Sequence, residues 1–179
     1  MYSKILQMYD ENELKLQDLK VANTKEISDI YDINQALIPD VGSLKDIGTL
    51  KKLIELSKIS EALKVKGELV GFYVCFGEKS EYDSINYKYF NKKYSRFLYV
   101  DRIGVKKSFE NRGFGKYLYS NIFKKMRASD QALCAEVNIL PKNKRSLIFH
   151  ENLGFTRVLD KEINHKYKVT YMEYYASRI

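Results

Sequence analysis

The segment SFENRGFGKYLYSNIFKKM, Ser108 to Met126, sets Gly113 and Gly115 between Arg112 and Lys116 where a loop reads as turning into a helix. The chain spends two of its nine glycines there, out of 179 residues. A helix start exposes backbone N–H groups and carries partial positive charge, so it suits a phosphate. Glycines just before it let the backbone approach an anion with no Cβ in the way. Arg112 and Lys116 add positive charge at the same place. The chemistry this spacing asks for is phosphate oxygens held on bare amides; the alternative is a tight turn at a helix entrance. Two other phosphate loops do not fit. A dinucleotide fingerprint needs a glycine where Leu118 stands, and a nucleotide P-loop needs Ser or Thr where Tyr117 follows Lys116.

Other reactive side chains are sparse. Cys75 and Cys134 lie in apolar runs, GFYVCF and ALCAEV, and read as buried free thiols. Nothing near Cys134 supplies the paired base that a nucleophile needs. The two histidines, His150 and His165, have no Cys or acid pattern between them, so no metal is expected.

The elements that must position the loop follow from periodicity. ELKLQDLKVAN alternates from Leu14 to Leu19 as an edge strand would. From Thr24 to Leu37 the pattern is helical, with Ile27, Ile30, Tyr31, Asn34 and Leu37 on one face, and Pro39 stops it. A second helical stretch, LKKLIELSKI, follows Gly48. ALKV, a turn at Gly67-Glu68, and LVGFYVCF then form a hairpin. The Tyr- and Asn-rich EYDSINYKYFNKKYS separates this from the apolar RFLYVDRIGV. After the loop, Leu118, Ile122 and Met126 mark a helical stripe. ALCAEVNI is a strand, Asn143 caps a helix that ends at Gly154, and the tail offers two more strands. The sum is an α/β (α+β) domain over 1–179 with a mixed, mostly antiparallel sheet of about six or seven strands flanked by helices.

YVDRIGV, ENRGFGKYLY and EVNILPKNKRSLIFHENLGF, in that order, resemble the GCN5-related N-acetyltransferase (GNAT) superfamily. Its cofactor loop reads Gln/Arg-x-x-Gly-x-Gly/Ala at the head of a helix, and Gly113 and Gly115 match it. Its downstream spacing of Asn, a helical Tyr and Gly-Phe falls on Asn143, position 150 and Gly154-Phe155. The match runs from Phe97 to Phe155, about a third of the chain. YVDR, EVN and FHENLGF are closest to a bacterial branch with no settled substrate. Two positions depart: Glu110 stands at the Gln/Arg site and His150 at the Tyr.

The resemblance implies acetyl transfer from acetyl-CoA to a primary amine of a small molecule or peptide, in a ternary complex. The implied cofactor contacts are Ile103, Gly104 and Val105 along the pantetheine arm, Asn111, Arg112, Gly113, Phe114, Gly115 and Lys116 at the pyrophosphate, and Asn143. Val105, in the segment Ile103-Gly104-Val105, stands where a backbone N–H would meet the developing oxyanion. Gly104 would ease a close approach. An amine with a pKa near ~10.4 must lose a proton before it attacks. Asp101 is the first candidate base and Glu136 the second; Asp101 could equally pair with Arg102 or another cation. His150 could protonate the departing thiolate or pack beside the cofactor as a neutral ring. Asn34, Tyr82, Asp83 and Glu136 are the substrate candidates; Tyr82 and Asp83 read equally as part of a surface loop.

Net charge +8 and a pI near 9.2 favour anionic partners without choosing among them. The lysines are scattered, and acetyltransferase spacing outweighs a nucleic-acid reading based on basic, tyrosine-rich composition. A coenzyme-A-binding module without turnover is the main alternative. No apolar run approaches the ~20 residues of a membrane helix, and MYSKILQMYDENE lacks a signal-peptide core. The expectation is a cytoplasmic protein with no membrane or nucleic-acid partner; a homodimer is left open.

Overall fold

The computed structural model describes residue 5 and residues 8–175. The strands are β1 (Leu14–Asp18), β2 (Ile59–Val65), β3 (Glu68–Gly77), β4 (Phe97–Val105), β5 (Ala132–Leu140), β6 (Thr156–Asn164) and β7 (Tyr167–Tyr175). The helices are α1 (Thr24–Ala36), α2 (Ile47–Leu56), α3 (Ile85–Lys93), α4 (Phe114–Lys125) and α5 (Lys144–Asn152). The sheet is seven-stranded in the order β1-β2-β3-β4-β5-β7-β6. β4 and β5, joined through α4, pair in parallel, whereas β1–β2, β2–β3, β5–β7 and β6–β7 are antiparallel. The mixed, mostly antiparallel sheet is thus as the sequence implies. Among the described residues no helix is long and apolar enough to cross a membrane, and no group of three or more His, Cys, Asp or Glu is placed to hold a metal ion.

The chain forms two compact units. One comprises the described part of Met1–Cys75 with Arg102–Lys125; the other comprises Phe76–Asp101 with the described part of Met126–Ile179. In the first, α1 starts with a capping box. The Asn23 side chain accepts from the Glu26 amide at 3.0 Å, and the Glu26 carboxylate accepts from the Asn23 amide at 2.8 Å. Ile27, Ile30, Ile33 and Asn34 are its buried residues, so Ile33 takes the place expected for Tyr31. Asp46 caps α2 by accepting from the Thr49 amide at 2.7 Å, which starts that helix at Ile47, ahead of the apolar run.

In the second unit the stretch that separates the apolar runs in sequence is a helix, α3. Ser84 caps it, accepting from the Tyr87 amide at 3.3 Å, and Lys92 and Lys93 occupy its last turn. Asn86, Tyr87 and Phe90 are buried. Asn and Tyr are weak helix formers, so tertiary packing holds α3 in place. Phe90 stacks near Tyr99 and Tyr171, with ring centroids at 5.6 and 5.1 Å, and Tyr89 sits 4.6 Å from Tyr171. Lys93 closes the helix with two bonds to the fully buried Glu173, at 2.7 and 2.8 Å.

Strand alternation gives this unit two chemically different faces. Tyr99 pairs with Cys134 and Glu136 with Tyr171, so these side chains share the face covered by α3. Leu133 pairs with Tyr174 and Val137 with Thr170 on the opposite face. There Phe155, just after α5, lies 5.9 Å from Tyr174 and 5.3 Å from His150.

Candidate active site

The glycine loop belongs to the first unit. After β4 the Lys106 amide donates to the Val70 carbonyl at 2.8 Å, and a single 3-10 turn spans Lys107–Phe109. Asn111 and Gly113 then adopt left-handed φ angles of 59° and 96°. The Tyr117 amide donates to the Gly113 carbonyl at 3.1 Å, closing the first turn of α4. Gly113 is therefore the cap, and the amides of Phe114, Gly115 and Lys116 precede the first intrahelical bond. Rings pin the loop: Phe114 is buried, 5.8 Å from Phe109 and 5.7 Å from Tyr9, and the Arg112 guanidinium lies 5.2 Å from the Phe109 centroid. Asn111, Arg112 and Lys116 are exposed.

The glycines are needed for reasons that sequence does not reveal. At Gly113 the positive φ already disfavours a side chain, and a Cβ would stand 3.2 Å from Ile5 Cγ1. At Gly104 a Cβ would come within 2.6 Å of Leu37 Cδ1 and 3.1 Å of Phe72 Cε1. The close approach at Gly104 is therefore to side chains of its own unit, while Ile103 and Val105 remain half-buried.

Asn34 is 0% exposed, and its amide is committed inside the first unit. Its Oδ1 accepts from Arg102 at 2.8 Å and its Nδ2 donates to the Gly42 carbonyl at 3.1 Å. Arg102 also donates to the Gly42 carbonyl at 3.2 Å. This is a brace between α1, β4 and the loop after α1. The Asn34 amide, expected from the sequence as a substrate contact, is the group that makes this brace. Arg102 is thus engaged by both Asn34 and the Gly42 carbonyl.

The second unit gathers the carboxylates. The parallel β4–β5 ladder has four pairs, from Phe97–Ala132 to Val100–Ala135. Asp101 and Glu136 are the next residue on each strand, the first past the end of that ladder and on the same face. Both are half-buried. Tyr82, stacked on Phe76 at 4.1 Å, donates its hydroxyl to Asp101 at 2.6 Å. Asn86 of α3 donates to Glu136 Oε1 at 3.0 Å while accepting from the Tyr171 hydroxyl at 3.0 Å. Among the described residues Glu136 Oε2 and the hydroxyl of fully buried Tyr99 make no hydrogen bond of good geometry, although the carboxyl and the hydroxyl act on one another. Burial, with the Asp101 charge second, pushes the Glu136 carboxyl up to about 8. Burial and then the Glu136 and Asp101 charges raise the Tyr99 hydroxyl as well. Asp83, by contrast, is an exposed residue paired with Lys88 on the outer side of α3.

His150 and Asn143 lie on α5, away from the α3 face. Asn143 is the cap: its Oδ1 accepts from the Ser146 amide at 2.9 Å, and its own amide donates to the Asn138 carbonyl at 3.0 Å. His150 is 5% exposed, with Nδ1 at 2.8 Å from the Ser146 carbonyl, which makes Nδ1 the protonated nitrogen. Burial lowers its pKa to about 4, so the ring is neutral at pH 7. A proton donor for a thiolate is not what this environment prepares.

Asn86, which the sequence offers beside Tyr82 and Asp83 as a group that could read a polar amine, is a partner of Glu136; Tyr99 and Tyr171 are neighbours of the carboxylates that the sequence does not point to. Tyr99 and Tyr171 carry no local signal, because only strand pairing brings them to Glu136.

A sequence profile of the acetyltransferase (GNAT) family matches residues 44–155. No curated protein sequence matches the chain significantly. Solved structures share the fold. Ard1 from Thermoplasma volcanium superposes with a TM-score of 0.70 at 16% identity, covering 91% of this chain and 97% of that one. The ribosomal-protein-S18-alanine N-acetyltransferase of Escherichia coli gives 0.66 at 14% identity, with 91% and 94% covered. An N-acetyltransferase from Staphylococcus aureus Mu50 gives 0.64 at 15%, with 91% and 98% covered.

Proposed function

We propose, for a chain that belongs to the acetyltransferase (GNAT) family, that it transfers the acetyl group of acetyl-CoA to a primary amine of a small molecule or peptide by direct attack. The observation that carries the reading is Glu136, a half-buried carboxyl past the end of a parallel ladder, oriented by Asn86 and raised to about 8. A base of that strength takes a proton from an alkylammonium far better than an ordinary carboxylate does. Glu136 thus moves ahead of Asp101 as the general base.

The amides of Phe114, Gly115 and Lys116, with Arg112 and the Lys116 side chain, would hold the diphosphate of the cofactor. Glu110 adds no positive charge there, so the backbone carries more of that task. Ile103, Gly104 and Val105 offer the edge for the pantetheine arm, with the Val105 amide for the oxyanion. In the step itself Glu136 carboxylate accepts a proton from the ammonium, and the neutral nitrogen attacks the acetyl carbonyl. The C–N bond forms, the C–S bond breaks, and the nitrogen's second proton leaves with the thiolate or to solvent. A thiolate of pKa near ~8.5 needs little help in leaving, which is compatible with a neutral, structural His150.

The test is thiol release from acetyl-CoA with an amine panel, measured for the native protein and Glu136→Gln. The substitution is expected to lower kcat about 10²- to 10⁴-fold and to leave acetyl-CoA affinity unchanged by calorimetry. In the native protein kcat/KM should rise with pH to a plateau above about 8, since Glu136 must lose its proton to act. Tight acetyl-CoA binding without release from any amine would instead mark a coenzyme-binding module.

A further inference from the structure

Glu136, Asn86 and Tyr171 form a closed ring of contacts inside the second unit. Glu136 and Tyr171 are paired neighbours on the β5–β7 ladder. The Tyr171 hydroxyl reaches over to α3 and donates to Asn86 Oδ1 at 3.0 Å, and Asn86 Nδ2 donates to Glu136 Oε1 at 3.0 Å. Packing fixes the frame of this ring. Tyr171 lies against Phe90 and Tyr89, with centroids at 5.1 and 4.6 Å. The start of α3 is held by the Ser84 cap and by Tyr87, whose hydroxyl donates to the Gly77 carbonyl at 2.7 Å and accepts from the Ser80 amide at 2.8 Å. The frame leaves one thing open, the sense of the Asn86 amide, because its oxygen and its nitrogen fill nearly the same space.

With Nδ2 towards Glu136, the carboxylate has a donor. With Oδ1 towards it, two acceptors face one another unless Glu136 holds a proton. Turning the amide over would also take the acceptor away from the buried Tyr171 hydroxyl. The choice bears on the base itself, since a donor favours the ionised carboxyl and an acceptor the protonated one. Asp101 and Tyr99 of β4 and Tyr167 of β7 face Glu136 as well, and they act on it directly. Resting on the acetyltransferase reading with Glu136 as base, we propose that Tyr171 is a positioning residue of the reaction: its hydroxyl fixes the sense of Asn86, which keeps a donor on Glu136 and the carboxyl ready to lose its proton. Without that hydroxyl the amide is free to turn over whenever Glu136 is protonated, and the base becomes harder to ionise.

Tyr171→Phe keeps the ring that packs on Phe90 and removes only the donor. The ionisation of Glu136 is read from the NMR shift of its carboxyl carbon. Its use is read from the pH dependence of kcat/KM for thiol release, with acetyl-CoA and the panel amine that the native protein turns over fastest. In Tyr171→Phe the carboxyl midpoint should rise by about 0.5 to 1 in pH. At about pH 7 kcat/KM should fall about 3- to 10-fold, and the plateau at high pH should return to within about twofold of native. Loss of packing alone lowers the rate at every pH and leaves the midpoint in place. Asn86→Ala should raise the midpoint at least as far, and adding Tyr171→Phe to it should change it by less than about 0.2, since the hydroxyl acts through the amide. A midpoint within about 0.2 of native in Tyr171→Phe, or a double variant showing the sum of the single shifts, would overturn the proposal. Should Asn86→Ala not fold, the Asn86 side-chain amide protons in Tyr171→Phe decide. They should lose their downfield position on the acid side of the titration, and shifts that match the native protein overturn the proposal. The base reading fails separately. If the carboxyl midpoint moves as expected while kcat/KM ignores it, or no amine is turned over, the hydroxyl's control of Glu136 stands and Glu136 as the base falls. If kcat/KM tracks a midpoint that is the same in both proteins, the base stands and the proposal falls.

Discussion

The glycine loop of the first unit and the carboxylate pair of the second are built on different principles. The loop is made of backbone. The groups proposed to work there are backbone amides, and side chains enter through the left-handed turn at Gly113 and the anchoring of Phe114. The carboxylate pair is made of side chains from β4, β5, β7 and α3, and its character comes from burial and from the charge and hydrogen bonds around Glu136. A backbone site tolerates changes around it as long as its turn survives. A side-chain site loses its chemistry with a single atom replaced, even when the fold is unchanged.

The sharpest way to break the comparison is at the turn. Gly113→Glu strains a left-handed position, pushes against Ile5 and places a negative charge at the helix start. It should weaken acetyl-CoA binding about 100-fold or more, read by calorimetry, the combined effect of lost geometry and charge. Affinity within threefold of native would show that the amides of α4 do not hold the diphosphate.

A second change tests how firmly α3 fixes the carboxylate face. Lys93→Met leaves Glu173 buried without its cation, and Lys93 is itself partly exposed, so the loss should lie at about 3 kcal/mol in urea unfolding. A cost under about 1 kcal/mol would mean that the tyrosine around Glu173 already satisfies it; Tyr175 donates to Glu173 at 2.7 Å.

The smallest effect on turnover is expected at His150. His150→Phe should change kcat less than about threefold between pH 6 and 9, because the neutral ring has its Nδ1 proton tied to Ser146. Its signature lies in stability. The folded pKa of about 4 is below the unfolded value, so the unfolded state binds the extra proton between about 4 and 6.5. The native protein therefore loses stability as pH falls through that window, and the variant should lose less. Glu136 has the opposite sign. Its folded pKa of about 8 is above the unfolded value, so its contribution is present at low pH and fades as pH rises towards 8. Glu136→Gln should flatten that second slope.

Much of this architecture was legible before any coordinates. The five helices and strands from β1 to β3, and nearly every later element, follow from periodicity, caps and turn residues, because those signals are local. The Asn143 cap and the Gly113 turn were legible for the same reason. The helix at Ile85–Lys93 was not, since its residues favour loops and its stability comes from the rings it packs against. Asn34 looked like a polar group available to a substrate; only the arrival of Arg102 from β4, 68 positions along the chain, makes it a buried brace.

By itself the sequence determined the order of elements, a glycine-bearing entry into α4 and a stretch of chain that resembles an acetyltransferase, since each is written in neighbouring residues. Only the tertiary structure decided that Glu136 rather than Asp101 carries the raised pKa, that Asn86 and Tyr171 orient it, and that His150 is sealed in as a neutral ring. Desolvation and the placing of distant charges set those properties, and neither exists until strands remote in sequence lie side by side.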